Sequence, residues 1–469
     1  MTRLSNSQVQ CGARLREIED LLRFLDHLAH LPVEAATPDE LAEHERQVCQ
    51  ATDRLAGLIV GEMVQTSLTS EVVGKQVETL VKASAKPLKK DGVQAVTLHT
   101  GTGTAITVTT VYSRRKGQRG SKRRLPGRYA GLVVLGIFEH CTPALGAHVS
   151  LLAAALSSFE EAQKLLLEAG VELNVKTVRA IAYAFARRAR AIQLAPSRFD
   201  FGSVKGRHVV VSCDGGRVRI RTKKRGPRTK KGRCRYHGVW REPKLFVVSV
   251  VGPDGRQDRT FTPLIDATLS GPDAVFSLLE NVLGRLHIEQ AERVLFVADG
   301  AHWIWKRVQL LGVRLGLRGV VELVDFFHVV EHLSAVAGLK KSWTAAQRRR
   351  WVKQQRRGLL NGRASAVVEA VDRLCRGPLS KAIRTERDYF VRNAKRLDYV
   401  AAQAAALPIG SGAVESAIRR VINLRLKGAS IYWLKPSAEA MLMLRSYFKA
   451  GRWNLLKSMA NPSFTSASL

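Results

Sequence analysis

The sequence predicts a multidomain α/β protein in which a mixed β-sheet carries helices on its faces. With 469 residues, the chain is longer than one ordinary domain. Apolar residues recur at helical spacing over 10–80 and again over 329–405. Between these regions, short apolar strands alternate with helical segments from 208 to 325. Hydrophobic residues make up 45% of the chain and charged residues 25%, so each domain can bury a core.

The chain is strongly basic, with a formal net charge of +35. Such an excess of Lys and Arg favours a polyanionic partner, because each cation docked on a phosphate releases condensed counterions. An anionic membrane surface is the rival partner, but no apolar run reaches the ~18–20 residues of a spanning helix. The N-terminal segment MTRLSNSQVQ also lacks the apolar core of a signal peptide. A nucleic-acid partner, without membrane association, is therefore favoured. The six cysteines form no CxxC pair, which indicates a reducing cytoplasm.

The N-terminal region, 1–125, is predicted to be helical and then to form a β-hairpin. Helical spacing is clearest in an early apolar series: Leu15, Ile18, Leu21, Leu22, Leu25 and Leu28. This series favours bundle packing over self-association, and both interpretations stay open. The alternating segment Val96–Tyr112 predicts a hairpin that turns at its GTGT sequence. The basic, Gly-rich segment SRRKGQRGSKRRLPGR that follows is either a contact to a DNA backbone or a solvated connector.

The next region, 126–204, contains a candidate helix-turn-helix. SSFEEAQKLLLEAG predicts a helix capped by Ser158, and the Arg-rich VKTVRAIAYAFARRARA predicts a second helix after a short turn. In that interpretation Lys176, Thr177 and Arg179, at the start of the second helix, face the major groove of DNA. An ordinary helical hairpin without DNA contact is the alternative, and the basic composition leaves the two near parity.

Five strands and two helices are predicted in the central region, 205–328. In chain order they are strands 208–214, 217–222 and 244–252, helix 272–286, strand 293–299, helix 301–312 and strand 319–325. Segment 257–265 extends or pairs with the third strand. Three strands, then helix, strand, helix and strand, is the order of an RNase H-like mixed sheet. The chain then continues with a helical insertion at 329–405, closing helices at 406–455 and a tail at 456–469.

Acidic residues stand at strand ends in this acid-poor chain. Asp214 ends the first apolar strand and is followed by two glycines, and Asp299 ends the strand 293–299 and is followed by one. Functional groups gather at the carboxyl ends of strands in parallel-type sheets, and glycines let a ligand approach the backbone. Glu415, in PIGSGAVESAIRRVI, opens a helix from which its carboxylate can reach over the sheet toward both aspartates. These three acids are the candidate catalytic and metal-binding residues.

Carboxylates in this arrangement suit Mg²⁺, which takes oxygen ligands octahedrally and keeps several waters. Two such ions ~3.5–4 Å apart can activate an attacking hydroxyl and stabilise a leaving oxygen in an in-line displacement at phosphorus. The cofactor expected from the sequence is therefore a pair of Mg²⁺ ions, for which Mn²⁺ substitutes.

Basic residues crowd the segment after Asp214. The candidate DNA contacts here are Arg217, Arg219, Arg221, Lys223, Lys224 and Arg225. Alternation in RVRIRT puts its three arginines on one strand face, where they contact a DNA backbone or protect a solvated edge strand. Arg419 lies one helical turn after Glu415 and pairs with it or with a phosphate. Trp343 and Trp351 pack helices together in the favoured interpretation, and stack on a frayed base in the other.

At these residues the chain resembles the ISKra-type insertion-sequence transposases, which belong to the wider DDE recombinase superfamily. The segments that carry the resemblance are VVVSCDGGRVRIR, VADGAHWIW, VDFFHVVEHL, PIGSGAVESAIRRVINLRLKGASIYW and AEAMLMLRSYFKAGRW. Together they cover roughly 207–455, and GIFEHCTPALGAHVSLLAAALSSFEEAQ upstream also looks like the family. The paired zinc-ribbon cysteines of many relatives have no counterpart in VYSRRKGQRGSKRR, so a ribbon fold in this region would have to form without zinc.

The resemblance implies that Asp214, Asp299 and Glu415 take the family's catalytic positions. Asp325 and His328 match a supporting Asp-x-x-His element, and 329–405 corresponds to the family's insertion. The implied reaction is metal-dependent cleavage at the ends of an insertion element, followed by strand transfer into target DNA. The expected partners are the terminal inverted repeats and the target DNA, bound by a homodimer or larger assembly. The N-terminal region would bind DNA ends or oligomerise, and the protein would be cytoplasmic and nucleoid-associated.

Two other functions use the same residues. One is a catalytically silent DNA-binding protein that keeps the fold. The other is a zinc peptidase, because His328, Glu331 and His332 form the HxxEH pattern of certain metalloproteases. The basic charge and the absence of a clear third ligand helix disfavour the peptidase. In a third interpretation, both histidines bind Asp325 and brace the junction between strand and helix.

Overall fold

The computed structural model describes residues 6–30, 37–83, 88–115, 127–195, 199–230, 232–376 and 380–462. The chain forms two compact units, Met1–Ser197 with Asn454–Leu469 and Arg198–Trp453. Most of the basic segment after the predicted hairpin, 116–126, lies outside the described residues. No helix in the described ranges is long and apolar enough to cross a membrane.

The first unit is helical apart from one β-hairpin. Its elements are α1 (Asn6–His30), α2 (Pro38–Thr69), α3 (Glu71–Lys82), β1 (Leu88–His99), β2 (Ala105–Arg115), α4 (Ala130–Val134), α5 (Pro143–Ala155), α6 (Phe159–Glu168) and α7 (Val175–Leu194). β1 and β2 pair antiparallel around the GTGT turn, which confirms the predicted hairpin. Their buried apolar side chains, Val96, Leu98, Ile106 and Val108, form one core with Leu132 and Ile137.

Helices α5, α6 and α7 enclose a separate core in this unit. Leu145, Leu166 and Ile181, one from each helix, are fully buried in it. The Ser158 hydroxyl accepts a hydrogen bond from the backbone N–H of Glu161, which confirms the predicted cap of α6. The Asn174 side chain caps α7 in the same way. The two predicted helices are therefore present, and a turn over Ala169–Asn174 joins them.

The second unit contains the sheet and its covering helices. Its strands are β3 (His208–Gly215), β4 (Val218–Lys223), β5 (Tyr236–Arg241), β6 (Lys244–Val251), β7 (Leu264–Thr268), β8 (Arg293–Ala298) and β9 (Val321–Val324). Its helices are α8 (Pro272–Arg285), α9 (His302–Arg314), α10 (Phe326–Leu339), α11 (Ala345–Leu360), α12 (Ala364–Leu374), α13 (Lys381–Asn393), α14 (Tyr399–Ala404), α15 (Gly412–Ile418), α16 (Leu424–Leu426) and α17 (Lys435–Lys449). The last helix, α18 (Trp453–Ala460), belongs to the first unit from Asn454 onward. A π-helical turn, Arg419–Asn423, joins α15 to α16.

Five strands form a mixed sheet in the order β7-β6-β3-β8-β9. β6 pairs antiparallel with β3 and with β7, whereas β8 pairs parallel with β3 and with β9. β6 and β7 are buried along their whole length, as are the inner residues of β3 and β8, because helices contact the sheet. α8 packs on β6 and β7, and α15 packs on β3 and β6. The predicted α/β class with a mixed sheet is therefore confirmed.

One predicted strand lies elsewhere. The sequence assigned 217–222 to the sheet as its second strand, but β4 pairs with β5 in a separate two-stranded hairpin. β6 takes the place beside β3, and β7, which overlaps the predicted segment 257–265 at its end, becomes the third antiparallel strand. The physical reason is burial: β4 hides only its Val218 and Ile220 face, whereas β6 hides both faces.

The described residues of 329–405 are mainly helical, from α10 to α14, as the sequence predicts. Trp343 and Trp351 lie in it with ring centroids 6.1 Å apart, so the two rings pack on each other as the favoured interpretation expects.

Candidate active site

Asp214 and Asp299 stand side by side at the carboxyl end of the sheet. β3 and β8 are parallel, with Val211 opposite Phe296, and the same offset three residues further places Asp214 opposite Asp299. Asp214 Oδ1 accepts the backbone N–H of Gly215 at 2.6 Å, and Asp299 Oδ1 accepts that of Ala301 at 3.0 Å. Each carboxylate is therefore held by its own turn and keeps its second oxygen free of hydrogen bonds among the described residues.

The electrostatics of this pair are unfavourable. Burial, and then the nearby Asp299 charge, raises the pKa of Asp214 to about 6 from 3.8, although the Gly215 N–H opposes the shift. Burial likewise raises the pKa of Asp299. Two half-buried carboxylates this close repel one another unless a proton or a cation lies between them. The chain therefore pays an electrostatic cost here that a bound cation would remove.

His328 contacts Glu415, and its charge lowers the pKa of both Asp214 and Asp299. Its Nε2 lies 3.5 Å from Glu415 Oε1, and its Nδ1 lies 3.2 Å from Glu331 Oε2. Burial lowers the pKa of His328, but the charges of Asp325, Glu331 and Asp299 outweigh it and raise the pKa overall. Glu415 itself is half exposed, and Arg419 on the next turn is exposed. The Glu415 carboxylate thus lies against His328. Of the two partners that the sequence offers Arg419, Glu415 or a phosphate, the pairing with Glu415 is not formed in this structure.

Asp325 organises this side of the site from a fully buried position. Its Oδ1 accepts the backbone N–H groups of Phe327 at 2.7 Å and His328 at 3.0 Å, which caps α10. Its Oδ2 accepts the Ser411 hydroxyl at 2.6 Å and the Ser411 backbone N–H. Asp325 binds the backbone of His328, and the His328 ring turns toward Glu331 and Glu415. Asp325 therefore fixes α10, which carries His328, against the turn that begins α15, which carries Glu415.

The site contains two further charged residues, Lys244 and Glu242, which the sequence did not predict. Lys244 Nζ lies 2.6 Å from Glu242 Oε1 and 4.2 Å from the centroid of the Trp303 ring. Glu242 lies directly against Gly215, where an added Cβ would be 2.0 Å from Glu242 Oε1. Both charges reach the aspartates: the Lys244 charge lowers the pKa of Asp299, and the Glu242 charge raises that of Asp214. The signal that could have found them is the pairing of β6 with β3, which sets Lys244 opposite Gly215.

The helical insertion packs on the turn that carries Asp299. An added Cβ at Gly300 would lie 2.2 Å from Tyr389 Cε2 and 2.7 Å from Asn393 Nδ2, both on α13. The Trp305 indole N–H donates to the Asp299 carbonyl at 3.0 Å and also holds this turn. Glycine is required at residue 300 because the α13 side chains occupy the space of any side chain there.

Gly300→Ala is therefore expected to lower the free energy of unfolding by about 1–3 kcal/mol, because α13 must move to admit the methyl group. Chemical denaturation measures the loss. Gly284→Ala is the matched control, since its Cβ would meet only Leu315 Cδ2 at 4.0 Å inside α8. That control is expected to be neutral or slightly stabilising. Equal stability of the two variants would contradict the packing argument.

The HxxEH histidines do not share a ligand position. His332 Nδ1 lies 2.7 Å from Glu386 Oε2, and its ring stacks on Tyr389 with centroids 3.6 Å apart. His328 faces Glu331 and Glu415 instead. Within the described ranges, no group of three or more His, Cys, Asp or Glu side chains is close enough to hold a metal ion.

The candidate DNA-contacting residues fall on exposed surfaces of both units. In the second unit, Arg219 is half-buried and the rest of the set is exposed: Arg217, Arg221, Lys223, Lys224, Arg225 and Arg419. In the first unit, Lys176 and Arg179 are exposed on one face of α7, and Thr177 is half-buried.

No protein-family model and no curated protein matches this sequence.

Proposed function

We propose that this chain is a DDE transposase, an enzyme that cuts the ends of an insertion element and joins them to target DNA. The observation that carries the proposal is the pair Asp214 and Asp299, adjacent on parallel strands and electrostatically strained. The strand order β7-β6-β3-β8-β9, antiparallel on one side of β3 and parallel on the other, matches that of RNase H-like sheets and supports it. The net charge of +35 supports a DNA partner.

The donor set fits Mg²⁺. Asp214 and Asp299 offer hard carboxylate oxygens, and a divalent cation would relieve the repulsion that raises the pKa of Asp214. Glu415, whose half-exposed carboxylate lies against His328 in this structure, is the proposed third ligand and would have to turn toward the aspartates to bind the ion. When bound, the ions would activate the attacking oxygen and neutralise charge on the leaving oxygen at phosphorus. Mn²⁺ is expected to substitute for Mg²⁺.

The other residues of the site position the carboxylates and offset their negative charge. His328 lies 3.5 Å from Glu415 and would hold it by an ion pair when the imidazole is protonated, which its raised pKa favours. Asp325 fixes the backbone at the start of both helices. Lys244 contributes a positive charge beside Asp299. The exposed arginines and lysines after Asp214 would hold the phosphate backbone of the DNA.

The α5–α7 core of the first unit supports a helix-turn-helix function. Lys176 and Arg179, three residues apart on the exposed face at the start of α7, are placed as recognition-helix residues would be. We propose that they read the terminal inverted repeats, with the protein acting as a homodimer or larger assembly on DNA.

Metal removal tests the proposal. The full-length protein is incubated with a supercoiled plasmid that carries the ends of its element, in Mg²⁺, in Mn²⁺ and in EDTA. Strand cleavage at the ends is expected with either metal, whereas EDTA is expected to abolish cleavage and to leave DNA binding largely intact. Binding without cleavage in any metal would favour a silent DNA-binding protein. Absence of DNA binding, together with zinc-dependent cleavage of casein, would favour the peptidase.

A further inference from the structure

We propose that the outer face of the β4–β5 hairpin is a stacking platform that binds unpaired bases of single-stranded DNA beside Asp214. The inference rests on the proposed function and names the DNA state that the site would accept. It comes from an arrangement of aromatic rings and guanidinium groups that the chemistry of Asp214 and Asp299 does not use.

Three aromatic rings and two arginines share this face. In the antiparallel register Arg219 lies opposite Trp240, and Lys223 lies opposite Tyr236. The Arg219 guanidinium stands 4.8 Å from the centroid of the Trp240 ring, and that of Arg221 stands 4.8 Å from the centroid of the Tyr236 ring. Trp240 is nevertheless 46% exposed and Tyr236 43% exposed, so both rings keep open surface for a ligand.

The platform is held rigidly. Tyr432 packs edge-on against Tyr236, with centroids 5.4 Å apart, and its hydroxyl lies 3.4 Å from Arg219 Nη1. The next residue, Trp433, bonds to β4 through its backbone, donating to the Arg219 carbonyl at 2.9 Å and accepting from the Arg221 N–H at 2.7 Å. Gly238 leaves room for Tyr432, since an added Cβ there would lie 2.6 Å from the Tyr432 ring. Rings fixed in this way lose little conformational freedom on binding a flat ligand.

Charge selects the ligand class. The segment 217–235 contains eleven Lys and Arg residues and no Asp or Glu. A ligand that combines dense negative charge with flat apolar faces is a nucleic acid. Duplex DNA presents only base edges in its grooves, whereas a single strand exposes the base faces that aromatic rings and guanidinium groups stack on. The rings therefore favour an unpaired strand.

The hairpin follows the strand that carries Asp214, so DNA stacked on it would lie near the carboxylates. β3, which carries Asp214, ends at Gly215, and β4 starts at Val218 after Gly216 and Arg217. A strand whose bases stack on Trp240 and Tyr236 would have its backbone near the arginines of β4 and close to Asp214. The platform would thus hold a frayed strand at the element end next to the carboxylates.

Binding of two labelled DNAs tests the platform without any cleavage. The full-length protein is titrated in EDTA against oligodeoxythymidine of about 20 nucleotides and against a duplex of equal length, with fluorescence anisotropy as the readout. Trp240→Ala is expected to weaken single-strand binding roughly tenfold and duplex binding less than about twofold. Trp240→Phe, which keeps an aromatic ring, is expected to retain most of the single-strand affinity.

Lys224→Ala is the matched control for charge. It is expected to reduce the salt dependence of binding to both DNAs, by about 0.7 to 0.9 in the logarithmic slope, without changing the preference between them. Trp240→Ala is expected to leave that slope unchanged. Tyr236→Leu, which keeps apolar bulk without a ring, repeats the test if Trp240→Ala lowers the melting temperature.

The outcomes separate two failures. Equal loss of affinity for both DNAs, or no loss for either, in the ring variants overturns the stacking platform and leaves the transposase proposal intact. Failure of the wild-type protein to bind either DNA overturns both.

Discussion

Asp214→Asn is expected to lower the rate of metal-dependent DNA cleavage by about 10³-fold or more, with DNA affinity unchanged within about twofold. Asparagine keeps the shape of the side chain and a carbonyl oxygen that can accept the Gly215 N–H. It removes the negative charge that a divalent cation requires at this position. The cleavage rate is measured with saturating protein on a labelled element end, and DNA affinity is measured in EDTA.

The same substitution is expected to stabilise the metal-free protein. The pKa of Asp214 is about 6 in the folded chain against an ordinary 3.8, so the folded state binds the proton more tightly than the unfolded state does. The cost of the charge is absent below pH 4, grows as pH rises through 6 and is complete at pH 7 and above. After allowance for partial exposure it amounts to about 1–2 kcal/mol, or a rise of roughly 2–4 °C in the melting temperature of the variant at pH 7.5.

With Mg²⁺ bound, the wild-type protein should instead be more stable than Asp214→Asn. Mg²⁺ is expected to raise the melting temperature of the wild-type protein, because it binds the folded state, and to leave that of Asp214→Asn almost unchanged. Asp254→Asn is the matched control, since this aspartate is exposed in the turn after β6 and lies outside the site. Asp254→Asn should match the wild-type protein in cleavage rate, in DNA affinity and in melting temperature with and without Mg²⁺. A metal-free Asp214→Asn protein that is less stable than wild type at pH 7.5 would contradict the electrostatic account of the site.

Strand ends were the part of the site that the sequence predicted best. The apolar runs before Asp214 and Asp299 are buried strands, as their short length and their β-branched and aromatic residues predicted. The parallel pairing of β3 and β8 then places the two carboxylates together. The position of Glu415 at the start of a helix was also predictable, but its contact with His328 was not.

Sequence periodicity could not predict which distant segments of the fold pair or pack with one another. Alternation identified β4 as a strand but not its partner, so it was assigned to the sheet although it pairs with β5. The same limit hid Lys244 and Glu242, which reach the site only because β6 lies beside β3. It also hid the contact of Tyr389 with Gly300, since the two residues meet only after the whole insertion has folded. Register and docking depend on tertiary packing, which a local pattern does not encode.

Asp325→Ala is expected to lower the free energy of unfolding of the second unit by about 3–5 kcal/mol. The substitution leaves the buried donors of Phe327, His328 and Ser411 without their acceptor. Ordinary removal of a helix cap costs only about 1 kcal/mol, so most of the loss comes from the contact to Ser411. Chemical denaturation of the full-length protein, followed by intrinsic fluorescence, measures it.

Asp325→Asn separates positioning from stability. Its amide oxygen can still accept from Phe327 and His328, but its NH₂ group faces two donors of Ser411, so α15 is expected to shift and Glu415 with it. The turnover rate of cleavage should then fall more than tenfold at a temperature where the variant is fully folded, with little change in DNA affinity. Asp398→Asn, at the N-cap of α14 where the carboxylate accepts the Ala401 N–H at 3.0 Å, is the matched control and should keep its activity. If Asp325→Asn loses stability but cleaves at the wild-type rate, Asp325 braces the fold alone, and the position of Glu415 does not depend on it.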